Sequence, residues 1–177
     1  METLFVATFE ARFFVALSLV ATLLLLGACS PPDLAVVQRN SVVCSGYIDQ
    51  LNEPPPSWHP VLGAVAFPID PVETGRAGAQ GTPYEGLRFA KFGLLVRTNT
   101  SVVLEVPKTG DVLMEWTLAE LGRPANVLRI GPCEGGGADW IVFAGGLWVA
   151  EPMCVVIAVT SGGQAEEAQV GVDHHCS

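Results

Sequence analysis

The chain predicts an all-β fold, a disulfide-linked antiparallel β-sandwich of about seven to eight strands. Three observations carry that prediction. From about residue 88 onward apolar and polar residues alternate with period two, the signature of half-buried strands. Glycine and proline, 19 and 13 of the 177 residues, gather between those runs as turn formers. Four cysteines, Cys44, Cys133, Cys154 and Cys176, are spread through the same region, an even number suited to a cross-linked domain. No long segment beyond residue 30 has a convincing helical period.

The body begins at Val42. Residues 53–60, rich in proline, predict an extended polyproline stretch. Residues 70–86, punctuated by Pro71, Gly75, Gly78, Gly81 and Pro83, predict a long surface loop. In 88–97, Ala90, Phe92, Leu94 and Val96 face one way, opposed by Lys91, Gly93 and Arg97 together with Phe89 and Leu95. Residues 101–106 repeat the alternation with Val102, Leu104 and Val106, and Thr98-Asn99-Thr100 is short enough to join the two as a hairpin. Residues 111–118 set Val112, Met114, Trp116 and Leu118 against Glu115 and Thr117. Residues 119–122 suit one helical turn, and 126–130 a short strand ending at Gly131-Pro132. Trp140–Phe143 and 147–149 flank Ala144-Gly145-Gly146, which reads as a tight hairpin because glycine tolerates positive φ. Residues 154–160 and 168–172 flank Ser161-Gly162-Gly163-Gln164, a second hairpin. A closed or two-layer body, immunoglobulin-like or related, hides these apolar faces most simply.

Four cysteines allow three pairings. Cys133–Cys154 with Cys44–Cys176 is favoured: the first would close the loop flanking the 140–149 hairpin, and the second would tie the two ends of the domain. Cys44–Cys133 with Cys154–Cys176 stays open.

Ahead of the body, residues 13–28 are apolar apart from Ser18, Thr22 and Gly27. As a helix this run would span about 24 Å, short of a hydrocarbon core of about 30 Å, so it suits the hydrophobic part of a signal peptide. It ends in Leu26-Gly27-Ala28-Cys29, followed by Ser30-Pro31-Pro32. This resembles a bacterial lipoprotein signal peptide with its lipobox, and the resemblance covers only the first thirty or so residues. It implies cleavage before Cys29, a diacylglyceryl group on that cysteine, and stable anchoring by more than one acyl chain. The implied layout is a signal peptide over 1–28, a lipidated tether over 29–41 and a single β domain over 42–177. The segment before Phe13 departs from the pattern, with Arg12 as its one basic residue against Glu2 and Glu10. An uncleaved anchor helix, or ordinary cleavage that frees the protein, are the alternatives.

Nine basic residues against eighteen acidic ones give a net charge of −9. Removing the leader with Arg12, Glu2 and Glu10 leaves −8. Phosphate binding needs a basic face, so nucleic acid is not an expected partner.

Candidate chemistry is sparse. Asp173, His174 and His175 could bind a transition metal, with His59 in support, but adjacent strand residues point to opposite faces and Cys176 is expected to be oxidised. The Cys133–Gly137 stretch lacks the Gly-Lys-Ser/Thr ending of a phosphate loop. No Gly-x-Ser-x-Gly elbow occurs. Trp58 and Tyr84, aromatics in proline- and glycine-rich segments, are the candidate ligand contacts. No cofactor is implied. The expectation is a non-enzymatic, membrane-anchored, extracytoplasmic binding or structural module of the cell envelope, whose partner would be an envelope protein, a glycan or a small solute. A metal-binding lipoprotein using His174 and His175, or a hydrolase or hydrolase inhibitor, is the alternative.

Overall fold

The structure, a computed structural model, describes residues 40–116 and 124–176. The readings that fall on Cys29, the leader, most of the tether and the 119–122 turn lie outside those residues. The described chain is all-β, with sheets of antiparallel strands and two disulfides, consistent with a β-sandwich. Numbered along the chain, the strands fall into three sheets. The first has the order β1 (Ser41–Val42), β10 (Val127–Ile130), β8 (Val102–Glu105), β13 (Met153–Ser161), β14 (Gln164–Val172). The second runs β2 (Tyr47–Leu51), β11 (Trp140–Phe143), β7 (Leu94–Arg97), β4 (Val65–Pro68), β3 (Trp58–Val61). The third runs β5 (Thr74–Ala77), β6 (Arg88–Lys91), β12 (Gly145–Val149), β9 (Val112–Trp116). Among these pairings β1 with β10 is parallel.

One hydrophobic core serves all three sheets. Leu104, Ile130 and Ile157 enter it from the first, Val65, Val96 and Ile141 from the second, and Ala90, Met114 and Leu147 from the third. The expected alternation is visible in β9, where Val112, Met114 and Trp116 are buried and Leu113 and Glu115 are only partly covered. A small second cluster, Ala66, Leu95 and Trp140, lies on the opposite side of the second sheet, with Leu51 and Trp58 packed against it.

Residues 88–97 form two strands in two sheets, β6 and β7, rather than one strand. Residues 140–149 divide likewise into β11 and β12, so neither segment closes the hairpin that the sequence predicts. The two segments cross the corner together. Phe143 pairs with Leu94 on one side and Gly146 with Lys91 on the other, with two residues between on each strand, so the register carries through. The Phe92 amide donates to the Gly145 carbonyl at 3.0 Å inside the bend. Gly93 sits where a Cβ would press on Val142, which explains a glycine at the corner. Trp116 pins the bend from the core side, its indole N–H donating to the Phe92 carbonyl at 3.2 Å and its ring meeting Phe92 edge-on at 5.3 Å.

Other expectations change for local reasons. Thr98-Asn99-Thr100 joins β7 to β8 across two sheets, so it is a crossover and not a hairpin. The proline stretch is not extended throughout: a turn closes where the Trp58 amide donates to the Pro55 carbonyl at 2.9 Å. Pro60 then lies in β3, an edge strand, where a missing amide is tolerated. Residues 70–86 are an organised segment. Val72 bridges Val172, β5 follows, and the Gly78 amide donates to the Leu87 carbonyl at 2.8 Å. The Gly162-Gly163 hairpin forms as expected, with Ser161 opposite Gln164 and positive φ at both glycines.

The favoured disulfide pairing is corrected: the bridges are Cys44–Cys133 and Cys154–Cys176. The parallel pairing of Val42 with Ile130 delivers Cys44 and Cys133 side by side just past the strand ends. In the β13–β14 hairpin Cys154 faces Gly171, and the chain turns back at Asp173 (φ 47°) to return Cys176 to it. The predicted Cys133–Cys154 bridge depended on a 140–149 hairpin that does not exist.

Candidate functional site

The third sheet turns one face to the core and leaves the other for chemistry. Alternation puts Phe89 and Lys91 of β6, Trp148 of β12, and Leu113 and Glu115 of β9 on that outer face. Gly146 lies directly between Lys91 and Glu115 in the ladder. A Cβ there would collide with the Ala90 carbonyl oxygen, and one at Gly145 with the Glu115 carbonyl oxygen. No side chain can fill this part of the sheet, so the backbone itself forms a floor.

Over that floor opens a cleft of about 630 Å³. One wall is Glu73 with Thr74 and Arg76 of β5; the other side presents Phe89, Lys91 and Glu115. The volume falls within the range of small-ligand sites. The lining combines two cations, two carboxylates and one aromatic ring.

An aromatic block flanks the site on the same face of the sheet. Tyr84 packs on Trp148 with ring centroids 4.2 Å apart, and Phe89 meets the same indole at 4.8 Å. The Arg76 guanidinium carbon lies 5.2 Å from the Phe89 ring centre and 5.0 Å from that of Trp148, a double cation–π contact. The Trp148 indole N–H donates to Glu115 Oε2 at 2.6 Å, which fixes the carboxylate at the rim. The Tyr84 hydroxyl is buried beside Glu115 but makes no hydrogen bond of good geometry with it. Burial first, then the Glu115 charge, push the Tyr84 phenol up to about 12, with Arg76 pulling the other way.

The wall that carries Arg76 is tied to the far end of the fold. Asp173 accepts from the Thr74 amide at 2.9 Å and from the Thr74 hydroxyl with its second oxygen. These two bonds, the hydroxyl's first, hold the Asp173 carboxyl below its ordinary value. Val72 donates to the Gly171 carbonyl at 2.9 Å and accepts from the Asp173 amide at 3.0 Å. Thus β5 is stitched to the end of β14.

The sequence-predicted residues do not converge. Tyr84 belongs to the flanking aromatic block rather than to the cleft lining. Trp58 stands on the edge strand β3 of the second sheet, half-buried against Leu95 and its neighbours. His59 lines a separate hollow of about 360 Å³ with Phe67, Ile69 and Glu167. His174 and His175 are exposed, Asp173 is engaged by Thr74 and Cys176 is in a disulfide. Among the described residues no three of His, Cys, Asp and Glu are grouped to hold a metal ion.

Sequence reasoning missed Arg76, Phe89, Lys91 and Glu115 as a set. The alternation in 88–97 placed Phe89 and Lys91 on one face and that in 111–118 isolated Glu115, but their sheet partnership was not visible. Among the described residues no helix is long and apolar enough to cross a membrane. The chain matches no family model and no curated protein sequence.

Proposed function

We propose that this chain is a membrane-tethered binding module of a bacterial cell envelope, anchored through an acylated Cys29, with the third-sheet cleft as its ligand site. The ligand is a small solute or a short portion of a glycan. The observation that carries this reading is the glycine-floored cleft, whose charged and aromatic walls are held in place by a packed aromatic block. A cleft with one ring face, donors and acceptors suits a polar ligand of a few rings or fewer better than a broad protein surface. The lipobox resemblance supplies the location, and an acyl anchor would leave the body on the extracytoplasmic side.

A photoreactive amino acid introduced at Ala144 on the cleft margin tests the reading in living envelopes. A discrete mass adduct at this position, and none with the same group at the exposed Val156 of β13, is the expected result. Identical labelling at both positions, or none at Ala144, overturns it. Intact mass spectrometry of the same preparation checks the anchor: a species beginning at an acylated Cys29 is expected, and an unmodified full-length chain overturns that part.

A further inference from the structure

We infer that the ligand of this cleft carries a carboxylate with neighbouring hydroxyl groups, as in a sugar acid or a small hydroxy acid, and that Arg76 and Lys91 receive the carboxylate. The inference rests on the cleft being the ligand site.

Arg76 carries the argument. Its guanidinium carbon lies 5.2 and 5.0 Å from two ring centres, contacts that hold the group at the cleft wall without using its N–H donors. No ion pair to Arg76 or Lys91 occurs among the described residues, although Glu73 and Glu115 line the same cleft. Two cations unspent on nearby acids, in a chain of net charge −9, form a local site for an anion. A planar guanidinium suits the two coplanar oxygens of a carboxylate, bound through parallel hydrogen bonds.

The two carboxylates define the rest. Glu73 and Glu115 accept hydrogen bonds and donate none when ionised, so the ligand must bring donors beside its own anionic group. They also disfavour a doubly charged phosphate, whose second charge would meet acidic walls on both sides. Phe89 adds an apolar surface for the C–H face of a ring.

Titration calorimetry on the protein purified from membranes in detergent tests the assignment with D-glucuronate, D-glucose, L-lactate and inorganic phosphate. Glucuronate should bind at least tenfold tighter than glucose and than phosphate. Arg76→Gln should abolish that preference, Arg76→Lys should recover only part of it, and Lys91→Gln should weaken glucuronate severalfold. Unchanged thermal melting in Lys91→Gln keeps the test valid if an Arg76 variant is poorly folded. Lactate binding as tightly as glucuronate identifies a free hydroxy acid as the source, whereas silence toward lactate identifies a sugar acid. Equal affinity for glucose and glucuronate, tighter binding of phosphate, or a preference that survives both Arg76→Gln and Lys91→Gln overturns the assignment. Glucose binding as tight as that of glucuronate, and lost in Phe89→Ala, would overturn the carboxylate while leaving the cleft as the ligand site. No binding of any probe overturns the carboxylate, and cross-linking at Ala144 then decides separately for the cleft.

Discussion

At the scale of single residues, the site depends on what is missing. Gly146 keeps the sheet bare where a side chain would otherwise stand between Lys91 and Glu115. Gly146→Ala forces a methyl against the Ala90 carbonyl and should destabilise the protein by about 2–4 kcal/mol, in the range of severe steric substitutions; denaturant unfolding measures it. Tyr84 offers the opposite case. Its hydroxyl is buried without a well-formed bond, so Tyr84→Phe should be neutral or stabilising by up to about 1 kcal/mol. It should also change the alkaline limb of stability. A phenol raised from 10.0 to about 12 in the folded state favours folding while protonated. That contribution is complete below pH 10 and lost as pH rises toward about 12, because the unfolded chain gives up its proton first. The wild type should lose stability over that window more steeply than Tyr84→Phe, as followed by thermal melting at stepped pH.

At the scale of elements, β5 is the wall that depends on a tether from elsewhere in the fold. It is an edge strand of four residues, and it is irregular where it pairs with β6. The Asp173 carboxylate secures it through Thr74. Asp173→Ala should therefore lower affinity in the cleft severalfold while leaving global melting nearly unchanged. Acid should act in the same direction. The Asp173 carboxyl titrates below its ordinary value of 3.8 when folded, so its contribution is present above that value and lost as pH falls through the folded-state one. Amide chemical shifts of Thr74 and Gly75, followed between neutral pH and pH 2, should move in that acid range in the wild type and stay flat in Asp173→Ala. How far the elements were legible follows from the same physics. Period-two alternation told which residues go inside: Ala90, Phe92, Leu94 and Val96 are all buried. It could not tell that the segment changes sheets at Gly93, because both sheets share one core and the pattern runs on unbroken. The Gly162-Gly163 hairpin was legible because two consecutive positive φ values need glycine. The strands from Tyr47 to Ala77 were not: β2, β3 and β5 are short edge strands with exposed residues and little alternation, and β4, between β7 and β3, is a short run buried on both faces. The cleft was hidden for a related reason: its walls come from segments brought together only by strand order.

At the scale of the whole molecule, two disulfides divide the work unequally. Cys44–Cys133 spans 89 residues and Cys154–Cys176 spans 22. Chain-entropy arguments assign about 5 kcal/mol to the longer loop and about 3 kcal/mol to the shorter. The Cys44→Ser, Cys133→Ser double variant should therefore melt lower than the Cys154→Ser, Cys176→Ser one. The burial of Cys133 adds to the difference, because its replacement puts a hydroxyl into the core. The shorter bridge should show itself elsewhere: it closes the chain just beyond Asp173, so its loss should weaken cleft binding more than melting. Equal melting of the two variants would contradict this division.

The strand beneath the cleft, β12, is hydrogen-bonded along both edges, to β6 and to β9. Such a floor has no hinge on which to swing, so capture of a ligand would be a single encounter with a surface already in its final shape. In rapid-mixing experiments the observed rate should then climb in proportion to ligand concentration, without the plateau that a slow rearrangement would impose.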